Sequence, residues 1–409
     1  MDKSIKHNIV TYGASPYIKS KMGRIHSDLL NKLYVSGHYL NAICWHHDIS
    51  YYLPDSLGKY YYNFGDKNIC EVFPVNRQRH VNSQLSIDMY NTIDRIKPEY
   101  VIAIGDYDEI MEICAIKEIN NSFILIGILV IDGLPIPKKY YDILDKFDYI
   151  ITINEKSYNF INNNLSDIDV EYGKIDINNN IFYNNGNRDK LNTFNILGCL
   201  KNSQICNPAA FIKAVGDFSE GKDDVIAYLH TNYNDPGEYD VNELLYRFDK
   251  KGIISLPKKY SSVVDNIDDI ELNNLYNNYN VIIDPSVSSA TSMHITEAVM
   301  TGCIPICMLH SSLLEYMKDI DYKYIINSVL YVGNNQEDLY IASVDSIVTH
   351  LENIYFIWKN HCDLYRQISK SYSELFKKDS KRNIYDIIES YIENKNNKKK
   401  GVKLELMNM

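Results

Sequence analysis

The chain has 409 residues, 45% of them hydrophobic and 23% charged, with a formal net charge of −11. Such a length suits two domains rather than one, and the composition is that of a globular protein, not a disordered or fibrous one. The acidic balance argues against a surface built mainly for nucleic acid, although it leaves room for a local basic groove.

The first half alternates strand and helix patterns. His7 to Gly13 reads as a short apolar strand running into a glycine turn. Ile25, Leu29, Leu30, Leu33 and Tyr34 then recur at helical spacing up to Gly37. The run "YLNAICW" is the next strand, "SQLSIDMYNTIDRIKPEY" a helix ended by Pro98, and "YVIAIG" a strand closing at Gly105. "SFILIGILVIDG" and "FDYIITIN" are two further strands, with the short helix "KKYYDILDKF" between them. Strands that are apolar throughout and alternate with helices imply a parallel sheet covered on both faces.

A polar, Asn-rich joint from Asn178 to Leu191 follows, and the pattern then restarts. "FNILGCL", "DVIAYLHT", "IISLP", "NVIIDPS" and "IPICML" are the strands; "PAAFIKAVGDF", "NELLYRFDKKG", "IELNNLYNNY" and "MHITEAVMTG" are the helices between them. The fold class expected is α/β, with two doubly wound Rossmann-like domains in tandem that face a ligand across a cleft. Beyond them, Ile354, Ile357, Trp358, Cys362, Tyr365 and Ile368 form an apolar helical stripe, continued by Tyr372, Leu375, Ile384 and Ile387. By then the second sheet is complete, so these helices are expected to pack back on the first domain. The expected division is 1–185, 186–355, 356–392 for the returning helices, and 393–409 as a flexible lysine-rich tail.

No stretch reaches the roughly 20 apolar residues of a membrane helix, so no integral membrane segment is expected. Met1 to Ser4 lead into polar sequence without the apolar core of a signal peptide, so the expected location is the cytoplasm. The eight cysteines form no C-x-x-C pair or zinc spacing, and Cys44, Cys199, Cys303 and Cys307 read as reduced core residues. The 35 tyrosines and abundant Asn, Ile and Lys suggest A+T-rich coding, as in a virus or a low-GC bacterium.

The segment Asn280 to Ile306 carries the most chemistry. A strand ends at Asp284-Pro285-Ser286, a loop of small residues follows, and a helix begins near Met293 with Glu297 close to its first turn. Backbone N–H groups of the loop and helix start would receive a diphosphate. Glu297 would accept hydrogen bonds from ribose hydroxyls.

This segment resembles the carboxy-terminal signature of the retaining GT-B glycosyltransferases of family four, the group 1 glycosyltransferases. In that family a Glu-Gly-Phe-Gly-Leu-Pro loop precedes Glu-Ala-Met-Ala-Cys-Gly-x-Pro. Matching Glu297-Ala298-Val299-Met300-Thr301-Gly302 to the second part puts Ser289 at the family's first glutamate and Ala290, Thr291 and Ser292 over Gly-Phe-Gly. The resemblance implies that Glu297 holds the ribose, and that Ser289 to Met293 line the donor phosphates and sugar. Ser20 to Arg24 is similar to the glycine-rich loop that touches donor phosphates, which makes Gly23 and Arg24 donor-side residues. Lys201 stands for the arginine of the family's diphosphate clamp, while Cys206 occupies its lysine position. Asp132-Gly133 falls where many members carry a His after the fifth strand, so Asp132 is the catalytic candidate.

The resemblance therefore implies a retaining, metal-independent hexosyl- or pentosyltransferase. It takes a nucleoside diphosphate sugar as donor substrate, with no cofactor, on the carboxy-terminal domain. The acceptor (glycan, lipid, protein or modified DNA base) sits on the amino-terminal domain and is not specified. Blander readings stand beside these: Glu297 as a helix-dipole partner, Gly23 as a turn glycine, Lys201 as a solvated loop lysine, Asp132 as a cap. The His46-His47-Asp48 cluster reads as loop rather than metal site. Two other functions remain open. One is a catalytically weak or inactive relative that binds a nucleotide sugar or a partner subunit, suggested by Ser289 and Cys206. The other is a metal-dependent single-sheet enzyme using Asp106-Tyr107-Asp108.

Overall fold

The computed structural model describes residues 6–45, 55–64, 67–75, 84–165, 167–233, 238–258, 267–309, 312–318, 320–334, 336–378 and 382–407. The chain divides into two compact units. The first comprises Met1–Ile131, Pro137–Asp176 and Lys381–Met409; the second comprises Asp132–Ile136 and Ile177–Ser380.

In the first unit the elements run β1 (Asn8–Ala14), α1 (Lys21–Val35), β2 (Tyr39–Trp45), β3 (Tyr60–Phe64), β4 (Lys67–Pro74), α2 (Gln84–Ile96), β5 (Tyr100–Gly105), α3 (Met111–Ile119), β6 (Ile124–Leu129), α4 (Tyr141–Leu144), β7 (Tyr149–Thr152), α5 (Glu155–Asn164) and β8 (Val170–Tyr172). They build one eight-stranded sheet in the order β3-β4-β2-β1-β5-β6-β7-β8. Every pair is parallel except β3 with β4, an antiparallel hairpin at the edge. The register sets Val10 opposite Asn41 on one side and Val101 on the other. Every residue of β5 is buried, as expected of a strand covered on both faces.

The second unit runs β9 (Phe194–Cys199), α6 (Pro208–Ser219), β10 (Val225–His230), α7 (Val241–Phe248), β11 (Ile254–Ser255), α8 (Asp269–Asn277), β12 (Val281–Asp284), α9 (Met293–Met300), β13 (Ile304–Met308) and β14 (Tyr324–Ile326). Its six strands are all parallel, in the order β11-β10-β9-β12-β13-β14. The order reverses at β9, which has β10 on one side and β12 on the other. A separate antiparallel ribbon of β15 (Ser328–Val332) and β16 (Asp338–Ala342) follows, then α10 (Val344–Asn360) and α11 (Cys362–Ser373).

The returning helices depart from expectation. Ile354, Tyr355, Tyr365, Ile368 and Tyr372 lie in the core of the second unit, where Phe194 and Phe218 flank Tyr355. The stripe thus covers the second sheet's own face, which the sequence had treated as already closed. From Ile177 the chain stays in this unit until it passes to the first unit between Ser380 and Lys381. The last helix, α12 (Ile384–Met407), then joins the first unit, where Ile384, Tyr385, Ile387, Ile388 and Ile392 are buried. Lys174 exchanges backbone bonds with the start of that segment (Lys174 N to Arg382 O and Ile384 N to Lys174 O, both 3.0 Å), and Tyr391 stacks on Tyr149 at 4.2 Å. The helix continues to Met407, through the stretch expected to be a flexible tail, because Lys, Glu and Leu there favour helix.

The Asn-rich joint is also no linker. The division falls at Asp176/Ile177, and residues from Ile177 onward are built into the second unit. Tyr183 N donates to Asn273 Oδ1 (3.2 Å), Asn185 N to Asn277 Oδ1 (3.0 Å), and Asn277 Nδ2 returns a bond to Tyr183 O (2.9 Å). Among the described residues, no helix is long and apolar enough to cross a membrane.

Candidate functional site

In an open parallel sheet, ligands collect beyond the carboxyl ends of the strands where the strand order reverses. In the second unit that place lies between β9 and β12, and the loops leaving these two strands carry most of the candidate residues. The two loops are joined: Val287 N donates to Ile205 O at 2.8 Å.

The loop from Pro285 to Ser292 is buried except at Ser289 and Thr291, which are half-buried. Its ends are fastened by Asp284, the last residue of β12. Ser286 donates to Asp284 Oδ1 from its backbone N (3.1 Å) and from its hydroxyl. His294, in the first turn of α9, holds Nε2 3.6 Å from Asp284 Oδ2, an ion-pair distance rather than a hydrogen bond. Burial pushes the Asp284 carboxyl up, but His294 and the Ser286 bonds outweigh it and hold it at about 2. Asp284 is thus an anion at neutral pH, and it clamps the strand end to the helix start.

Among the described residues, six α-helices begin with a side-chain cap. Ser20 caps α1, Asn207 caps α6, Ser343 caps α10, and α8 has a full capping box of Asp268 and Glu271. Helix α9 does not: Ser292 makes no side-chain cap, and no acidic residue lies in the first turn. That end keeps the positive dipole an anion requires.

Asp132, exposed, belongs to the second unit and meets this loop directly. Its Oδ1 accepts from Ala290 N at 2.6 Å, and its backbone oxygen accepts from the Ser288 hydroxyl. The segment is held further by Asp338 N donating to Leu134 O at 2.6 Å, which bridges it to β16. Asp132 therefore occupies the Ala290 N–H that the sequence assigned to the donor. Ser289 turns inward on its own loop, donating to Thr291 O at 3.0 Å. Met293 and Ala290 are buried, and Ser292 is wholly so.

Lys201 is exposed two residues beyond the end of β9. Cys206, in the same loop, is no substitute for a clamp lysine, because burial pushes its thiol up and keeps it neutral. Glu297, the fifth residue of α9, has no exposed surface; its Oε2 accepts from the Tyr276 hydroxyl at 3.0 Å. Contact with a ribose would require a local opening there.

Gly23 and Arg24 lie in α1 of the first unit. Gly23 has a steric reason of its own, since a Cβ there would stand 2.1 Å from Ile18 O. Arg24 is half-buried. His46, His47 and Asp48 lie outside the described residues. Asp106 accepts from Glu109 N (2.8 Å) and Asp108 from the Tyr140 hydroxyl (2.6 Å), so this pair serves a turn and a ring contact. Among the described residues no group of three or more His, Cys, Asp or Glu is arranged to hold a metal ion.

Sequence reasoning missed the residue that fixes the far end of this site. Arg188 is 3% exposed and uses its whole guanidinium. Nε donates to Tyr279 O (2.5 Å), Nη1 to Thr301 O (2.8 Å) and Ser369 Oγ (3.4 Å), and Nη2 to Tyr276 O (3.0 Å) and Thr301 Oγ1 (3.2 Å). It thereby joins the carboxyl ends of α8 and α9 to α11, and these ends favour a cation. Gly302 makes room for it: its φ is +86°, and a Cβ there would stand 2.8 Å from Arg188 Nη1.

Two Rossmann-like sheets, each doubly wound, give the chain the GT-B fold of glycosyltransferases. No family model matches it, and no curated protein sequence does either. Solved structures do. A sucrose-phosphate synthase from Thermosynechococcus elongatus matches with a TM-score of 0.72 at 11% identity, over 97% of this chain and 100% of that one. HepE from Anabaena, in complex with UDP and glucose, matches with a TM-score of 0.63 at 11% identity, over 96% and 100%. An E. coli trehalose-6-phosphate protein bound with UDP-2-fluoro glucose matches at 0.64 and 10%, over 94% and 98%. At these identities the likeness is one of fold.

Proposed function

We propose that the chain is a glycosyltransferase that moves a hexosyl or pentosyl unit from a nucleoside diphosphate sugar to an acceptor hydroxyl, with UDP, bound in HepE and carried by the UDP-2-fluoro glucose of the E. coli protein, as the nucleotide. The observation that carries this is the pair of joined loops at the β9–β12 switch point, with an uncapped helix start, an exposed lysine and a carboxylate around one small-residue loop. In this reading the amino end of α9 and Lys201 neutralise the leaving diphosphate, without a metal. Asp132 faces the transferred sugar, and Glu297 takes the ribose hydroxyls once the site opens. Transfer proceeds with retention.

The test is binding first and turnover second. UDP or a UDP-sugar at 100 times its dissociation constant should stabilise the protein by about 2.7 kcal/mol. Glu297→Ala should weaken that binding by about 1–3 kcal/mol, the cost of unpaired ribose hydroxyls. If no nucleotide or nucleotide sugar shifts the unfolding transition, the reading is wrong; unchanged affinity in Glu297→Ala removes Glu297 from it. Turnover in the presence of a chelator and NMR of the product anomer test metal independence and retention.

A second reading is a nucleotide-sugar binder with little transfer activity. It is favoured by the neutral Cys206 thiol and by Ser289, folded onto its own loop. Tight UDP-sugar binding with no transfer to any acceptor would single it out.

A further inference from the structure

The first unit contains a cavity of about 730 Å³ that the proposed donor chemistry does not use. It lies at the amino ends of β2 and β4, beside the carboxyl end of α1, at the opposite end of these strands from where an open sheet gathers its ligands. Its lining includes Tyr34, Tyr39, Tyr61, Asn41, Asn68 and Lys6. We infer that this cavity is a binding site for a neutral saccharide of one or two sugar units.

The lining chemistry selects that class. A phosphate ligand requires converging cations or a row of backbone donors. Here Lys6 lies with Nζ 5.9 Å from the Tyr39 ring, and the lining carboxylate of Glu71 is already paired with Lys59 at 3.0 Å. An acyl chain requires a continuous apolar wall, yet Val35, 80% exposed, is the single aliphatic side chain the lining presents, since Leu40 and Ile69 expose only 7% each and belong to the core. What remains is aromatic rings with polar tips, together with amides that both donate and accept. A pyranose has the matching surfaces: an apolar C–H face for a ring, and hydroxyls that donate and accept around its rim. Tyr39 is 64% exposed and supplies an accessible ring. The volume falls within the roughly 300–1,000 Å³ usual for small-molecule sites.

The test uses the full chain saturated with UDP, so that any second sugar site is scored apart from the donor site. Glucose, galactose, mannose, N-acetylglucosamine, maltose, cellobiose and lactose are titrated by saturation-transfer NMR and calorimetry. At least one should bind, and Tyr39→Ala and Asn68→Ala should each weaken it tenfold or more. Both side chains are exposed, so UDP affinity should stay within twofold and the unfolding transition should not move. Binding by none of the sugars, binding that survives both substitutions, or binding that UDP competes away would overturn the inference. The outcome does not depend on transfer activity, so failure of the donor reading would leave it standing.

Discussion

Replacing Arg188 by Met keeps the volume and apolar stem of the side chain but removes all five N–H donors. Three backbone carbonyls then lose a partner, those of Tyr276, Tyr279 and Thr301. Each buried acceptor left unpaired costs about 1–3 kcal/mol, and water entering the space recovers part of it. We therefore expect a loss of about 3–5 kcal/mol, confined to the second unit. Arg188→Lys should recover little, because one ammonium does not span three carbonyls in a plane. The chain has two tryptophans, Trp45 in β2 and Trp358 in α10, and Trp358 packs 5.5 Å from Phe194 in the second core. In a Trp45→Phe background, Trp358 fluorescence reports urea unfolding of that unit alone. With a slope of about 3 kcal/mol per molar urea, the midpoint should fall by about 1–2 M. A transition within 1 kcal/mol of the parent would refute the idea that this guanidinium holds α8, α9 and α11 together.

The first unit should show a distinct pH dependence from His26, which is buried between Ala14 O (2.6 Å from Nδ1) and Thr11 Oγ1 (2.7 Å from Nε2). Burial lowers it from 6.5 to about 4, so the unfolded chain binds a proton that the folded one refuses. Stability is then full above pH 6.5 and falls by about 3 kcal/mol as pH drops towards 4. His26→Gln should flatten that slope; parallel pH curves for the two proteins would remove His26 as its cause. At the candidate donor site, Lys201→Ala should weaken UDP severalfold while leaving uridine binding unchanged, as read by calorimetry. Equal losses for both ligands would mean that Lys201 does not touch phosphate.

The sequence made the interior strands legible because both faces of each are largely buried, so runs such as Ile124–Leu129 and Tyr100–Gly105 are apolar from end to end. The edge hairpin β3–β4 went unread: β3 has a single partner and tolerates Asn63, and the apolar run of β4, though paired on both sides, is broken by the exposed Asn68 and the half-buried Glu71. The bracket of β12, α9 and β13 around the small-residue loop was legible from Pro285, Glu297 and Gly302. What fastens it was not. Asp284 with His294, and Ala290 with Asp132, are contacts made by folding between residues whose spacing announces nothing. Arg188 was hidden by its setting, because a charged residue in an Asn-rich run reads as surface. Its burial follows only from carbonyls that three distant segments present to it.

The membership of α12 in the first unit has a consequence during synthesis. The apolar surface that Ile384, Tyr385, Ile387, Ile388 and Ile392 cover belongs to strands and helices made long before. Between Ile177 and Lys381 the ribosome adds about 200 residues, nearly all of the second unit. At about 5–20 residues per second this takes roughly 10–40 s. During that interval the older unit carries an uncovered apolar face while the younger one is still being made. A chaperone that binds exposed apolar surface therefore has a defined client here, and release should follow emergence of the segment around Ile388.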